Sequence, residues 1–167
     1  MSRCALVAVA LTLVVVSPAA AATSWAQPQI KVVTARGLMG GKTASFRPDD
    51  PVTAGELADL VAGLTGKAVP VALNPSAPVT ISQLDAQLVR ALGLLPVARQ
   101  FTAAIRAAGL DPTGNFGTEV VARLLGLRVN HPASQDTLEL GPDNVATRAE
   151  AAYSAARILG FSGSEVD

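Results

Sequence analysis

The stretch VATRAEAAYSAARILG, Val145–Gly160, contains the tetrad that decides the fold of this chain. The tetrad is T-R-A-E at Thr147–Glu150, and similar tetrads occur earlier as T-A-G-E at Thr53–Glu56 and T-I-S-Q at Thr80–Gln83. In such a capping box the threonine hydroxyl accepts a hydrogen bond from the third helical N–H. The Glu or Gln side chain in turn accepts one from the threonine N–H. Each tetrad therefore predicts the start of a helix.

The residues around the tetrads share one spacing, which indicates an internal repeat. A proline lies five residues before each threonine, and a large apolar residue lies two before each proline, which predicts that Phe46, Leu73 and Leu140 fold back onto the core. A glycine lies 13 residues after each threonine and predicts a left-handed helix stop at Gly66, Gly93 and Gly160. Each capped helix is then about 12 residues, roughly 18 Å, long.

Apolar residues at helical spacing give each capped helix one buried face. The predicted faces are Leu57, Val61 and Leu64; Leu84, Leu88 and Leu92; and Ala151, Ala155, Ile158 and Leu159. Leading helices are predicted at Gln27–Arg36 and at Thr118–Leu125, the latter with Val121, Leu124 and Leu125 inward, and a further short helix at Phe101–Ala108. Lys67–Pro78 contains three prolines and is predicted to hold no full leading helix.

Composition favours an all-α fold with closely packed helices, because half of the residues are hydrophobic and few are aromatic. Residues 1–22 are predicted to be a secretory signal peptide, with Arg3, an apolar run at Ala5–Val16 and small residues at Ala20–Ala22. The run of 12 is shorter than the about 20 residues that span a bilayer, and an uncleaved anchor is the alternative. The predicted divisions that follow are repeats at 23–66, 67–96 (abbreviated) and 97–161, and a tail at 162–167.

The remaining composition argues against several classes of function. Removal of Cys4 with the signal peptide leaves no cysteine for disulfides or thiolate chemistry, and the mature chain has 12 basic and 13 acidic residues. A mature chain with this charge balance has no excess of basic residues, which a nucleic-acid binder would need. It is also predicted to have no membrane span. No metal site and no cofactor are predicted, because His131 is the single histidine. Asp49, Asp50 and Glu56 suggest a glycosidase pair as an alternative, but loop and capping roles explain them and predict no catalytic residue.

The whole pattern resembles the S-layer homology family. The first repeat carries Trp25-Ala26, Ile30, Gly37-Leu38, SFRPDDPVT at Ser45–Thr53 and Glu56-Leu57, and the third carries the T-R-A-E signature. The resemblance implies three helix-loop-helix repeats in a pseudo-threefold helical spindle. It also implies noncovalent binding to polysaccharide attached to peptidoglycan, often an anionic, pyruvylated secondary cell-wall polymer.

In that family the grooves between repeats use the tetrad arginine and the leading-helix tryptophan, which here implies glycan or anion contacts by Arg148 and Trp25. The arginine position is Ala54 in the first repeat and Ile81 in the second, and the third repeat's tryptophan position resembles Phe116. Arg148 opens a helix whose free N–H groups attract anions, and its planar fork suits a carboxylate or phosphate. The alternatives are a surface pair with Asp143 for Arg148, and a core plug for Trp25.

Asn130 and His131 are further candidate groove residues, because they lie in the longer loop of the third repeat; an ordinary turn before Pro132 is the alternative. The leading functional hypothesis is a secreted, non-catalytic cell-envelope module at the cell wall or cell surface that binds peptidoglycan-associated polysaccharide, with a cargo protein as a possible partner. A structural or protein-interaction domain that keeps the fold without glycan binding is the alternative, and a small secreted glycan-active enzyme is a third.

Overall fold

The computed structural model describes residues 24–40, 42–70, 72–129 and 139–161, and within these ranges the chain is all-helical without a sheet. The helices are α1 (Gln27–Ala35), α2 (Ala54–Thr65), α3 (Ile81–Ala91), α4 (Leu95–Ala107), α5 (Phe116–Leu124) and α6 (Arg148–Phe161), with a 3₁₀ turn at Thr43–Ser45. The predicted all-α class is confirmed. The predicted signal peptide lies outside the described residues.

Helices α2, α3 and α6 begin directly after the three threonines of the tetrads. Each threonine hydroxyl accepts from the N–H three residues on at 3.3 Å. The side chains of Glu56, Gln83 and Glu150 accept from the threonine N–H groups at 3.0, 2.8 and 2.8 Å. Local backbone chemistry thus sets where these helices start.

Glycines with positive φ follow five of the helices, at Gly37, Gly66, Gly93, Gly109 and Gly126. The predicted stop at Gly160 is wrong, because α6 continues through it to Phe161. A glycine permits the left-handed conformation without requiring it, and inside a helix it costs only about 1 kcal/mol relative to alanine.

Two helix starts also differ from the predictions. Helix α4 begins at Leu95 rather than Phe101, since Pro96 fits the first helical turn, where its missing N–H costs nothing. Helix α5 begins at Phe116 rather than Thr118.

The chain closes into a ring through three nine-residue stretches, here called cap segments 1 (48–56), 2 (75–83) and 3 (142–150). The residue before each threonine donates its N–H to the equivalent carbonyl of another segment. Val52 donates to Ala146 at 2.9 Å, Ala146 to Val79 at 2.9 Å, and Val79 to Val52 at 3.0 Å. These three bonds join segments that are far apart in sequence into one closed cycle.

The same cycle satisfies the first N–H groups of the three capped helices. The first helical N–H of Ala54, Ile81 and Arg148 donates to the neighbouring segment's carbonyl at Ala77, Asn144 and Asp50, at 2.8 to 2.9 Å. The second helical N–H donates to the carbonyl of the neighbouring segment's proline: Gly55 to Pro75, Ser82 to Pro142 and Ala149 to Pro48. Helix ends that would otherwise need water are therefore completed by the next segment.

The helices pack around this ring in pairs. Helix α1 packs on α6, α5 packs on α3, and α2 contacts both α3 and α6. Helix α4 packs on α5, where Gly117 permits the close approach, because a Cβ there would lie 2.0 Å from the Ala98 carbonyl oxygen. The predicted helix faces are buried or partly buried except for Leu124, which is 70% exposed.

The apolar residues before the prolines do not all behave as predicted. Phe46 is fully buried and Leu140 is partly buried against the core. Leu73 is fully exposed, so its predicted core contact is wrong. No helix occurs in the described part of Lys67–Pro78, and without a leading helix there is no apolar surface at that place to receive Leu73.

Replacement of the cap threonines tests the contribution of the tetrads to stability. Thr53→Ala, Thr80→Ala and Thr147→Ala are each expected to lower the free energy of unfolding by about 1 kcal/mol, since each removes a cap acceptor. Urea unfolding followed by circular dichroism measures the change. Thr113→Ala is the matched control, because Thr113 is exposed and precedes an uncapped helix start. Equal stability of control and cap variants would contradict the prediction.

Candidate functional site

A pocket lies at each of the three junctions of the ring. In each pocket the first helical residue of one cap segment lines the wall together with the capping Glu or Gln of the next. The pairs are Arg148 with Glu56 in a pocket of 350 Å³, Ala54 with Gln83 in one of 260 Å³, and Ile81 with Glu150 in one of 350 Å³. The three junctions thus share a backbone frame and differ in side-chain chemistry.

The first junction is closed by Arg148, whose side chain is buried. Its Nε donates to the Phe46 carbonyl oxygen at 2.8 Å, and its Nη1 forms an ion pair with Glu56 Oε1. The guanidinium carbon also lies 4.7 Å from the centre of the Phe46 ring, within cation–π range. Glu56 caps α2 with its other carboxylate oxygen, so one glutamate serves both the helix start and the arginine.

The helix end that carries Arg148 offers no open donor at its first three positions. The N–H groups of Arg148 and Ala149 donate to cap segment 1, and that of Glu150 donates to the Thr147 hydroxyl. The expectation of free N–H groups there is therefore wrong, because the ring supplies their acceptors. The predicted alternative, a surface pair with Asp143, is also wrong, because Arg148 is buried and pairs with Glu56.

The third junction opens into a groove whose mouth carries two aromatic rings. Trp25 is 54% exposed, so it is not a core plug, and its ring centre lies 5.7 Å from that of Tyr153 at an angle of 49°. This Trp25 groove is formed by Trp25 just before α1, by α3 and α6, and by the ends of the loop after α5. Its lining residues are Trp25, Ile81, Leu84, Asp85, Leu127, Arg128, Val129, Glu139, Leu140, Glu150, Tyr153 and Ser154.

Arg128 lies in the wall of the groove, where its guanidinium binds acidic and carbonyl groups of the protein. It is buried, its Nη1 donates to Glu119 at 3.1 Å, and its Nη2 donates to the Leu140 carbonyl oxygen and lies 3.5 Å from Glu139. Arg123 pairs with the same two glutamates. The positive charges near the groove are thus already neutralised.

Asp85 lies on the buried face of α3 and lines the groove with 1% of its surface exposed. Its Oδ2 has no hydrogen-bond partner, and its nearest cation is Arg128, 3.9 Å away. Burial raises the pKa of this carboxyl to about 7, against an opposing effect of Arg128. Burial also raises the pKa of Glu150, which the N–H and hydroxyl of Thr147 oppose.

The structure brings only part of the predicted site together. Trp25 lines the third junction and Arg148 the first, so the two do not share a pocket. Asn130 and His131 lie outside the described residues, although Val129, which precedes them, lines the Trp25 groove.

Sequence reasoning missed Asp85, Arg128 and Tyr153. Asp85 did leave a signal, because it is a charged residue one position after Leu84 and three before Leu88, on the apolar face of a helix. Arg128 and Tyr153 offered no such signal, since their roles depend on which elements meet at the groove.

Among residues 24–40, 42–70, 72–129 and 139–161, no group of His, Cys, Asp and Glu side chains is arranged to hold a metal ion. None of the helices in the same ranges is long and apolar enough to cross a membrane.

Comparison with known proteins gives one family match. A model described as the S-layer homology domain matches residues 20–58, which include α1, the 3₁₀ turn and cap segment 1. This domain is in general a non-catalytic module that anchors proteins to cell-wall polysaccharide at the cell surface. No curated protein and no solved structure gave a significant match.

The Arg148–Glu56 pair is open to a double-mutant cycle. Arg148→Met is expected to lower the free energy of unfolding by at least about 2 kcal/mol, and Glu56→Gln by a similar amount, because each leaves a partly buried charge without its partner. The coupling energy from urea unfolding is expected to be about 1–3 kcal/mol. Arg47→Met is the control, since Arg47 is 73% exposed and pairs with Asp50, and such pairs contribute about 0–1 kcal/mol. A coupling near zero would show that Arg148 is not held by Glu56.

Asp85 predicts a dependence of stability on pH. Its pKa is about 7 in the folded protein against 3.8 for the unperturbed group, so the folded state binds the proton more tightly. The wild type then loses stability as pH rises between about 4 and 7. Asp85→Asn removes this loss, which amounts to about 4 kcal/mol over the window, so its melting temperature relative to wild type is expected to rise by roughly 10 °C across it.

Thermal unfolding at pH 5, 6, 7 and 8 measures this difference. Asp59→Asn on the exposed side of α2 is the control and should give a nearly constant difference. A constant difference for Asp85→Asn as well would contradict the raised pKa.

Proposed function

We propose that the chain is a secreted, non-catalytic cell-envelope module that binds peptidoglycan-associated polysaccharide in the Trp25 groove. The observation that carries this is an exposed tryptophan paired with Tyr153 at the mouth of a groove whose wall is mainly apolar and includes the carboxyl groups of Asp85, Glu139 and Glu150. Aromatic faces stack on the apolar faces of sugar rings while carboxylates accept from sugar hydroxyls. Trp25 also lies inside the range that matches the S-layer homology domain.

We further propose that the fold is a pseudo-threefold spindle of three helix-loop-helix repeats, at 23–66, 67–94 and 95–161, where the predicted boundary between residues 96 and 97 is moved to the start of α4 at Leu95. The hydrogen bonds of the ring support this, because each class of bond occurs once at each junction. The packing of α1 on α6 and of α5 on α3 is also equivalent under this symmetry. The second repeat is the abbreviated one, since it contributes α3 without a leading helix.

The proposed glycan contacts centre on Trp25, with Tyr153 beside it. Asn130 and His131 stay predicted contacts. Arg148 is assigned to the framework rather than to the glycan, because its guanidinium is committed to Glu56, Phe46 and the Phe46 carbonyl group.

The absence of catalysis is part of the proposal. Glu56 is committed to the helix cap and to Arg148, and Asp50 pairs with Arg47 on the exposed loop. These engagements account for the carboxylates that the sequence offers as a glycosidase pair.

Sedimentation with isolated cell walls tests the proposed function. The mature protein is expected to pellet with walls, and Trp25→Ala is expected to weaken binding at least about tenfold, which corresponds to about 1.4 kcal/mol of lost stacking. Leu110→Ala is the matched control, because Leu110 is 62% exposed and lies outside the groove.

Two results would overturn the proposal. Undiminished binding by Trp25→Ala would remove the groove as the site. Failure of the wild type to sediment with walls of any preparation would favour the alternative, a structural or protein-interaction domain without glycan binding. Release of reducing sugars from the walls would show catalysis.

A further inference from the structure

The three junctions are equivalent in backbone, but only one has an arginine at the first helical position, and it is not the one that contains Trp25. At the Trp25 groove, the position of Arg148 is taken by Ile81, which is buried and apolar. Glu150 is the capping residue at this junction. It has no arginine at the first helical position to pair with, in contrast to Glu56 at the first junction. The junction with the aromatic platform has more carboxylates than arginines in its lining, whereas the junction with Arg148 has two of each.

Among the described residues, the groove offers no cation that is free to bind a ligand. Of the Lys and Arg residues in the described ranges, Arg128 alone lines it, and that side chain is 8% exposed and bound to Glu119 and the Leu140 carbonyl oxygen. The helix N-terminus at this junction is also occupied, because the N–H groups of Ile81 and Ser82 donate to cap segment 3. An acidic sugar would meet no free positive charge and no free helix end here.

Acceptors, by contrast, are present and one is unfilled. Asp85, Glu139 and Glu150 all line the groove. Asp85 is the informative one, because it is almost completely buried and its Oδ2 accepts no hydrogen bond, while its ion-pair partner, Arg128 Nη1, lies 3.9 Å away, beyond hydrogen-bond distance. Buried polar atoms are normally paired, so an unpaired carboxyl oxygen in a cavity wall indicates a partner supplied from outside.

We propose that the Trp25 groove selects a sugar that presents N–H or O–H donors and bears no acid group, with Asp85 as the residue that accepts from it. This rests on the proposed function and specifies the class of its ligand. The sugar ring stacks on Trp25, and a hydroxyl, amide or ammonium group reaches the carboxyl at the floor. An acid group of the sugar in the same position would share the groove with the carboxyl groups of Asp85, Glu139 and Glu150.

Calorimetric titration with tetrasaccharides of matched length tests this. The probes are the tetramers of glucosamine, of N-acetylglucosamine and of galacturonic acid. The two amino-sugar tetramers are expected to bind at least tenfold more tightly than the acidic tetramer. Asp85→Asn is expected to reduce the affinity for the glucosamine tetramer at least tenfold, because an ammonium group gains most from a carboxylate. Asp59→Asn, outside the groove, should leave all three affinities unchanged.

Wall sedimentation with the same proteins distinguishes a failure of the proposed sugar selectivity from a failure of the proposed binding to cell walls. Tighter binding of the acidic tetramer, or an Asp85→Asn variant with unchanged affinities and native circular dichroism, overturns the selectivity while wall binding stands. Binding to walls only before acid stripping of an anionic polymer, with no amino-sugar tetramer bound, also overturns it. Loss of wall binding by the wild type overturns the proposed function itself.

Discussion

The cycle of backbone hydrogen bonds among Val52, Val79 and Ala146 is the constraint on which the rest of the structure depends. It brings together three segments that are distant in sequence, and a capped helix begins in each of them. Each helix start is completed by carbonyl groups of the next segment, so the caps and the ring depend on each other. Because the ring is made by the cap segments alone, it forms although the middle part of the chain has no leading helix before α3.

The ring also decides what the side chains at the junctions can do. Because each junction has the same backbone, a single residue type at the first helical position sets its chemistry. At the first junction this residue is an arginine that pairs with Glu56, and at the third it is an isoleucine in the wall of the Trp25 groove. A cation at a helix N-terminus is unfavourable with respect to the helix dipole. The ion pair with Glu56 on another segment offsets this cost at position 148.

The open groove combines a stacking surface with carboxyl groups whose charges are only partly balanced. Arg128 and Arg123 tie Glu119 and Glu139 into a network that holds the wall in place. Asp85 lies beside this network. Its Oδ2 is 3.9 Å from Arg128 Nη1 and accepts no hydrogen bond. A buried acceptor without a partner costs stability in the absence of a ligand, which is the reason that it points to recognition rather than to structure.

The sequence by itself determined the helix class, the three helix starts and the position of the shortened middle segment, because capping boxes, glycine stops and prolines act through neighbouring residues. It was wrong where the outcome depends on distant ones: Gly160 stays helical and Leu73 lies exposed. Only the tertiary structure decided that Arg148 is buried against Glu56, that Trp25 lies in a different pocket, and that Asp85 faces a groove. The physical reason is that capping is a local interaction, whereas burial, ion pairing and groove shape are set by residues separated by as many as 128 positions in the chain, as Trp25 and Tyr153 are.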